Sequence, residues 1–424
     1  MLRARRDTAR TIVGIMPELR STDTVTGLLA EIADVGRDRQ RGGYSRPVFS
    51  TAERDLTGWF IAHAQRRGLD VHTDLNGIIW ASSGDLSSGD SVVTGSHLDS
   101  VPGGGAFDGP LGICSALVAF DRLQQRGFVP VRPLSIAVFP EEEGSRFGVA
   151  CLGSRLLTGA IDPDRARQLR DDDGVTLAEV AAANGLDPRF LGQDDGTLAA
   201  VGTFLELHVE QGRGLIDLSK PVGIARSILG HGRWRVTVEG QGNHAGSTLM
   251  GDRRDPMLTA ARVVVAVREA ALAHPDSRAT VGRLTPVPGG TNVIASSVTL
   301  WLDVRHPRHE IVATVVQAIT TEAGRLAAEE GCTVKVVEES RIGTVHFPTG
   351  LRDVLSHTLP ESPLLDSGAG HDAGVLAARV ESAMLFVRNP TGVSHSPEEQ
   401  VEADDAEAGA IALADALQAL LTRD

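Results

Sequence analysis

An imidazole and two carboxylates fall within one glycine-rich stretch, Gly95-Ser96-His97-Leu98-Asp99-Ser100-Val101-Pro102-Gly103-Gly104-Gly105-Ala106-Phe107-Asp108-Gly109-Pro110-Leu111-Gly112. A His-x-Asp pair suits metal binding, because a ligating imidazole commonly passes its other N–H to a carboxylate that fixes its tautomer and basicity. On that reading His97 is a ligand, Asp99 orients it, and Asp108 is a second ligand. The competing reading is a polar turn whose Asp108 caps the helix that follows. The stretch alone does not separate the two.

Four further clusters bear on the choice. Pro140-Glu141-Glu142-Glu143-Gly144 sets three carboxylates side by side, and these repel unless a cation is near. One of them could bind a metal while its neighbour stays free as a general base. The others are His208-Val209-Glu210-Gln211-Gly212, Gly370-His371-Asp372 and Ser394-His395-Ser396-Pro397-Glu398-Glu399. Each by itself reads as a solvated or structural turn. Together, His97, Asp108, Glu142 or Glu143, His208 and His395 supply three imidazoles and two carboxylates. That donor set suits two divalent transition ions, Zn²⁺ or Mn²⁺ with Co²⁺ or Ni²⁺ as alternates, sharing one carboxylate. Asp108 is the expected bridge. No His-Glu-x-x-His helix, Gly-x-Ser-x-Gly elbow or Walker loop occurs, which argues against a mononuclear zincin, a serine hydrolase and an NTPase.

Such convergence demands a particular scaffold. Apolar runs at 91–96, 134–139, 204–209 and 382–387 read as buried strands, and the candidate ligands sit at or just past their ends. In a parallel sheet those ends share one edge, where α/β folds place their chemistry. Helical spacing at 22–36, 50–67, 111–126 and 403–421 supplies the covering layers. The expected fold class is therefore α/β, a mostly parallel central sheet covered by helices. From about residue 222 the pattern changes to β-α-β-β-α-β, the split βαβ order of a smaller α+β unit. The expected division is a leader at 1–20, a main domain at 21–215 plus 336–424, and an inserted domain at 216–335. Residues 160–201 read as a solvated excursion from the main domain, and 37–50 as a polar loop.

The inserted unit carries its own polar set. Gly242-Asn243-His244-Ala245-Gly246 follows one strand, Asn292-Val293-Ile294 lies between two more, and Asp303-Val304-Arg305-His306 ends another. Arg305 can grip a carboxylate with both arms, Asn292 can donate a hydrogen bond, and His244 can stabilise an oxyanion. Each also has a plain reading as a turn or surface residue, with Arg305 paired to Asp303.

Composition narrows the function classes. The 424 residues are 42% hydrophobic and 23% charged, ordinary for a globular chain. A net charge of −14 argues against nucleic-acid binding, and no apolar run is long enough to span a bilayer. Three scattered cysteines, Cys114, Cys151 and Cys332, make no disulfide framework and fit a reducing cytoplasm.

The motifs at 95–112, 142–147, 208–212, 243–246, 292–294, 303–306, 370–373 and 394–399 together resemble the M20 metallopeptidase-type amidohydrolases. Within them they resemble the branch of N-carbamoyl-L-amino-acid hydrolases and allantoate amidohydrolases. The short gap from His97 to Asp108, and a His at 208 where the peptidases look to use an acidic residue, separate this branch from the peptidases. The resemblance implies that His97, Asp108, Glu143, His208 and His395 hold two metal ions, with Glu142 as general base and His244 stabilising the oxyanion. It implies substrate contacts from Gln211, Asn292, Arg305 and His371, and a homodimer joined through the inserted lid domain. The implied reaction is hydrolysis of the carbamoyl group of a small ureido acid, releasing CO₂ and ammonia. The rival readings are an aminoacylase or dipeptidase of the wider family, a non-catalytic metal-binding protein, and an acidic binding module without metal.

Overall fold

The computed structural model describes residues 23–86 and 89–422, so the leader expected over 1–20 lies outside the described residues. The chain first lays down β1 (Asp70–Thr73), β2 (Ile79–Ser83), β3 (Ser91–His97), β4 (Leu134–Phe139), β5 (Val201–Val209) and β6 (Val222–Ile228). A second group follows: β7 (Gly230–Glu239), β8 (Asn243–His244), β9 (Arg278–Val287), β10 (Val293–Ile294), β11 (Ser297–His306) and β12 (Thr333–Ile342). The chain then returns with β13 (Val345–His346), β14 (Leu364–Ser367) and β15 (Glu381–Val387).

The large sheet runs in the order β1-β2-β4-β3-β5-β15-β6-β13, with β14 beside β6. Its central strands β4, β3, β5 and β15 are parallel, and antiparallel pairs close both margins. This is the α/β architecture expected from the strand pattern. The central strands β3 and β4 are buried along their whole length, because helices cover both faces. Helix Pro110–Gln125 opens with Pro at its first turn, where a missing N–H costs nothing, and is apolar on almost every side. It packs on the sheet beside the Ala/Leu-rich helix Ala403–Leu421, and the three share one core.

The second sheet has the order β12-β7-β11-β9 and is antiparallel throughout. Strands β7 and β9 flank β11, which is the split βαβ arrangement. Helices Pro256–Leu272 and His309–Glu329 pack on one face, around Trp234, Val263, Leu302, Val304, Val315 and Ile319. Asp255 caps the first of these helices by accepting from the Met257 amide at 2.9 Å.

Two expectations change and a third, the loop at 37–50, is sharpened. The switch between the two sheets falls at residues 229 and 343–344, later than 216 and 335 at both ends. Strand β6 pairs with β15 and β14 of the large sheet, and β12 runs on to Ile342 against β7. Local pattern could not separate β6 from β7, since only pairing assigns a strand to a sheet. Residues 160–201 are not merely a solvated excursion. Ile161, Ala166, Leu177, Val180 and Leu191 form a core of their own with Val48, Phe147 and Leu156. The 37–50 segment is also anchored: Tyr44 and Gly104 exchange both backbone hydrogen bonds, at 3.0 and 2.9 Å, and Arg46 is 1% exposed.

Gly95 lies opposite Ala137 in the β3–β4 pair, where a methyl would overlap the Ala137 carbonyl. Gly95→Ala is expected to lower stability by about 1–3 kcal/mol, as overpacking does, with a matching fall in the urea midpoint. An unchanged midpoint would mean that the strands have slack two residues before His97.

Candidate metal centre

The ends of the four parallel strands deliver the candidate ligands to one edge. His97 is the last residue of β3, Glu141–Glu143 follow β4, His208 lies near the end of β5, and His395 sits in the loop after β15. Asp108 comes from the turn between β3 and the helix starting at Pro110. That turn needs Gly109: its φ is +83°, and an added Cβ would lie 2.6 Å from the His97 ring.

Asp108 is common to two groups of donors. His97, Asp108 and His208 form one, and Asp108, Glu143 and His395 the other; within each, ligand atoms lie within 4.8 Å of one another. The two oxygens of Asp108 divide the work. Oδ1 is 3.4 Å from His97 Nε2 and 3.1 Å from His208 Nε2, whereas Oδ2 is 3.4 Å from His395 Nε2. His395 Nε2 is also 3.3 Å from Glu143 Oε2. His97 Nδ1 donates to the Asp99 carbonyl at 3.1 Å and His208 Nδ1 to the Val209 carbonyl at 3.0 Å. Each ring therefore turns its Nε2 towards the shared carboxylate. His395 adopts a left-handed φ of 55° and stays half exposed, so this donor faces the cleft.

The Asp99 carboxylate does more than orient His97, from which it lies 3.5 Å away. It accepts from the Glu142 and Glu143 amides at 3.2 and 3.1 Å, holding the acidic turn against β3. Within that turn the three glutamates part company. Glu141 has a left-handed φ of 54°, and its carboxylate turns back to accept from the Arg146 and Phe147 amides at 2.9 and 2.6 Å. Glu142 is buried and comes to 3.7 Å from His97 Nε2, with the Cys151 thiol donating to its other oxygen at 3.4 Å. Glu143 joins His395.

Electrostatics fits a cation site. Burial pushes the Glu142 carboxyl well up, and Asp372, Glu143 and Asp108 add repulsion against the pull of His97. Burial and Asp108 push Glu143 up in the same way. Burial opposes charge on His97, yet the carboxylates of Glu142, Asp108 and Asp99 hold its pKa well above normal. A buried nest of acids whose ionisation is disfavoured by burial and mutual repulsion is relieved when cations lie among them. The residues present therefore fit two divalent ions.

The remaining predicted residues divide. Gln211 Nε2 donates to Asp108 Oδ2 and to Ser394 Oγ, both at 2.9 Å, so it braces the shared carboxylate. His371 packs its ring 4.6 Å from that of His208 and contacts Ser367 Oγ at 3.0 Å. Burial and the His208 charge hold it well below the usual imidazole range, hence neutral. Arg305 grips Asp303 with both arms, at 2.7 and 3.0 Å, and donates to the Gly368 carbonyl at 2.7 Å. His244 and Asn292 meet each other across the β8–β10 ladder, where His244 pairs with Val293 and the Ala245 amide donates to the Asn292 carbonyl at 3.0 Å. Both are exposed, and among the described residues neither bonds to the metal-site cluster.

Sequence reasoning missed two buried acids. Glu399 accepts from the Phe107 and Asp108 amides at 3.1 and 3.0 Å, fixing the backbone of the shared carboxylate. Burial and Asp108 raise its carboxyl to about 7. Glu206 lies two residues before His208 and accepts from the Ala373 amide at 2.9 Å, tying β5 to the His371 loop. The strand period of two would have flagged Glu206 as sharing a face with His208; Glu399 lies in the 394–399 motif, but nothing local shows that it supports Asp108.

A family model described as peptidase family M20/M25/M40 matches residues 93–419. The chain is 35% identical over 387 residues to the N-carbamoyl-L-amino acid amidohydrolase of Geobacillus stearothermophilus, covering 90% of this chain and 94% of that protein. It is 31% identical over 409 residues to the allantoate amidohydrolase of Bacillus subtilis, covering 95% and 98%. Among solved structures, a hydantoinase/carbamoylase family amidase from Burkholderia vietnamiensis superposes with a TM-score of 0.85 at 30% identity, covering 94% of this chain and 97% of that one.

Because Asp108 belongs to both donor groups and His395 to one, their removal should differ in stoichiometry. Elemental analysis after dialysis is expected to find no tightly held ion in Asp108→Ala and about one per chain in His395→Ala. Equal losses would mean that the groups do not share Asp108.

Proposed function

The chain belongs to peptidase family M20/M25/M40, and from that membership we propose that it hydrolyses the carbamoyl C–N bond of a small ureido acid, either an N-carbamoyl-L-amino acid or allantoate. The observation that carries this reading is the pair of donor groups joined through Asp108, with the Glu142 carboxylate beside them. Similarity to N-carbamoyl-L-amino acid and allantoate amidohydrolases over most of the chain supports the substrate class.

The proposed cofactor is a pair of divalent ions, Zn²⁺ or Mn²⁺, held by His97, Asp108, His208, Glu143 and His395. When bound, such ions polarise a carbonyl and lower the pKa of water to about 7. Glu142 then takes the proton of the attacking water and passes it to the leaving nitrogen. Burial raises its pKa above that of an ordinary carboxylate, the direction needed by a base that must later act as an acid. Gln211 keeps Asp108 aligned, and neutral His371 offers a hydrogen bond without adding charge. Arg305 has N–H groups left beyond its bonds to Asp303 and Gly368, and these receive the substrate carboxylate. His244 and Asn292 reach the substrate when the small sheet closes over the cleft, or from a second copy of the chain.

A homodimer in the cytoplasm completes the proposal. Leu258, Val265 and Leu272 are 46%, 57% and 66% exposed and recur every seven residues on helix Pro256–Leu272. This apolar stripe on the outer side of the small sheet supports self-association there. Val265→Glu is expected to shift the protein to monomer in size-exclusion chromatography with light scattering; an unchanged mass would remove this helix from the interface.

Glu142→Gln keeps the shape and loses the base. It is expected to lower kcat by about 10²–10⁴-fold, the usual worth of general acid–base catalysis, at unchanged metal content. An ammonia-release panel with allantoate, several N-carbamoyl-L-amino acids, an N-acetyl amino acid and a dipeptide, each with Mn²⁺ or Zn²⁺, tests the reading. Turnover of only the last two would assign the protein to aminoacylase or dipeptidase chemistry instead.

A further inference from the structure

We infer that Arg278 recognises a second negative group on the substrate, so that the preferred ureido acids carry an acidic side chain; this rests on the amidohydrolase reading above. The small sheet has one face that its helices leave open. Asp303, Arg305, Arg233 and Arg235 project there, opposite the side filled by Trp234, Leu302 and Val304. In a protein of net charge −14 this face is locally rich in cations. Most of those cations are balanced: Asp303 holds Arg305 and lies 3.6 Å from Arg233, and Glu339 lies 3.1 Å from Arg235.

Arg278 is not balanced. Among the described residues no carboxylate lies within ion-pair distance of it. Its strand register sets it directly opposite Arg305 across the β9–β11 pair. Like charges directly opposite one another destabilise a sheet unless an anion lies between or beside them. The position of the pair is as telling as its charge. The Arg278 guanidinium packs against Gly368, where a Cβ would lie 3.6 Å from its central carbon, and the Gly368 carbonyl accepts from Arg305. The same loop carries His371, whose ring lies 4.6 Å from that of His208. The two arginines thus meet the loop that links the small sheet to the metal-site cluster. With the charge of Arg305 already shared with Asp303, one guanidinium remains for a second carboxylate, and its planar fork matches that group.

N-Carbamoyl-L-glutamate and its uncharged isostere N-carbamoyl-L-glutamine test the inference on the metal-loaded protein. The wild type is expected to show a kcat/KM at least ~10-fold higher for the glutamate compound. Arg278→Gln should bring the ratio towards one through KM, leaving the glutamine compound within about twofold of wild type. A wild-type ratio near one, or a ratio unchanged by Arg278→Gln, overturns the assignment while leaving the amidohydrolase reading intact. If neither compound is turned over, the amidohydrolase reading rests on allantoate and the other substrates of the ammonia-release panel, and calorimetric binding of the two compounds decides Arg278 separately. Tighter binding of the glutamate compound that is lost in Arg278→Gln supports the assignment, and equal binding overturns it.

Discussion

The two oxygens of one buried carboxylate set the terms for the rest of the structure. Asp108 must face two imidazoles with one oxygen and a third imidazole with the other, and those imidazoles come from three different strand ends. Such sharing tolerates little backbone freedom. The turn that bears Asp108 is accordingly held by Glu399 at its amides, by the Gln211 amide at its side chain, and by Tyr44 through Gly104. The parallel arrangement of β4, β3, β5 and β15 is the larger form of the same constraint, since it alone brings all the donors to one edge.

That geometry concentrates acids where water is scarce. Glu142, Glu143, Glu206, Asp372 and Glu399 are all shifted upwards, chiefly by burial. A fold built only for stability would not keep so many buried acids within one neighbourhood, because each needs protons or partners to be tolerated. Backbone amides satisfy Glu206 and Glu399, and Ser154 donates to Asp372 at 2.5 Å. Glu142 and Glu143 are different, for their amides are held by Asp99 while each turns one carboxylate oxygen towards the imidazoles, the other accepting from the Cys151 thiol at 3.4 Å in Glu142 and from the Val101 amide at 3.3 Å in Glu143. Anchored backbones with carboxylate oxygens turned to one point are what a binding site for cations requires.

The small sheet adds charge of the opposite sign. Its open face and the acidic cluster are joined through the 367–371 loop, where Arg305 meets Gly368 and His371 meets His208. The chain itself crosses between the two sheets at residue 229 and at 343–344, so the 367–371 loop is a packing contact between them rather than a connection.

Much of this was legible in the residues themselves. Buried apolar runs marked β3, β4 and β15, and glycine and acidic signals after them marked the donors, because strand burial and turn chemistry are local properties. The parting of Glu141 from Glu142 was not legible, since it follows from a single left-handed residue. Nor was Glu399 legible as the support of Asp108, because it lies far along the chain from the residue it supports. The sheet boundary moved from 216 to 229 for a related reason: β6 and β7 look alike until each finds its partner strands. The sequence by itself determined which side chains are available, and on which kind of element, because propensity and periodicity act over a few residues. Only the tertiary structure decided that one carboxylate serves both donor groups, that Arg305 is already engaged by Asp303, and that Arg278 is left without a counter-charge among the described residues. Those facts depend on distances between elements far apart in the chain, which only their packing sets.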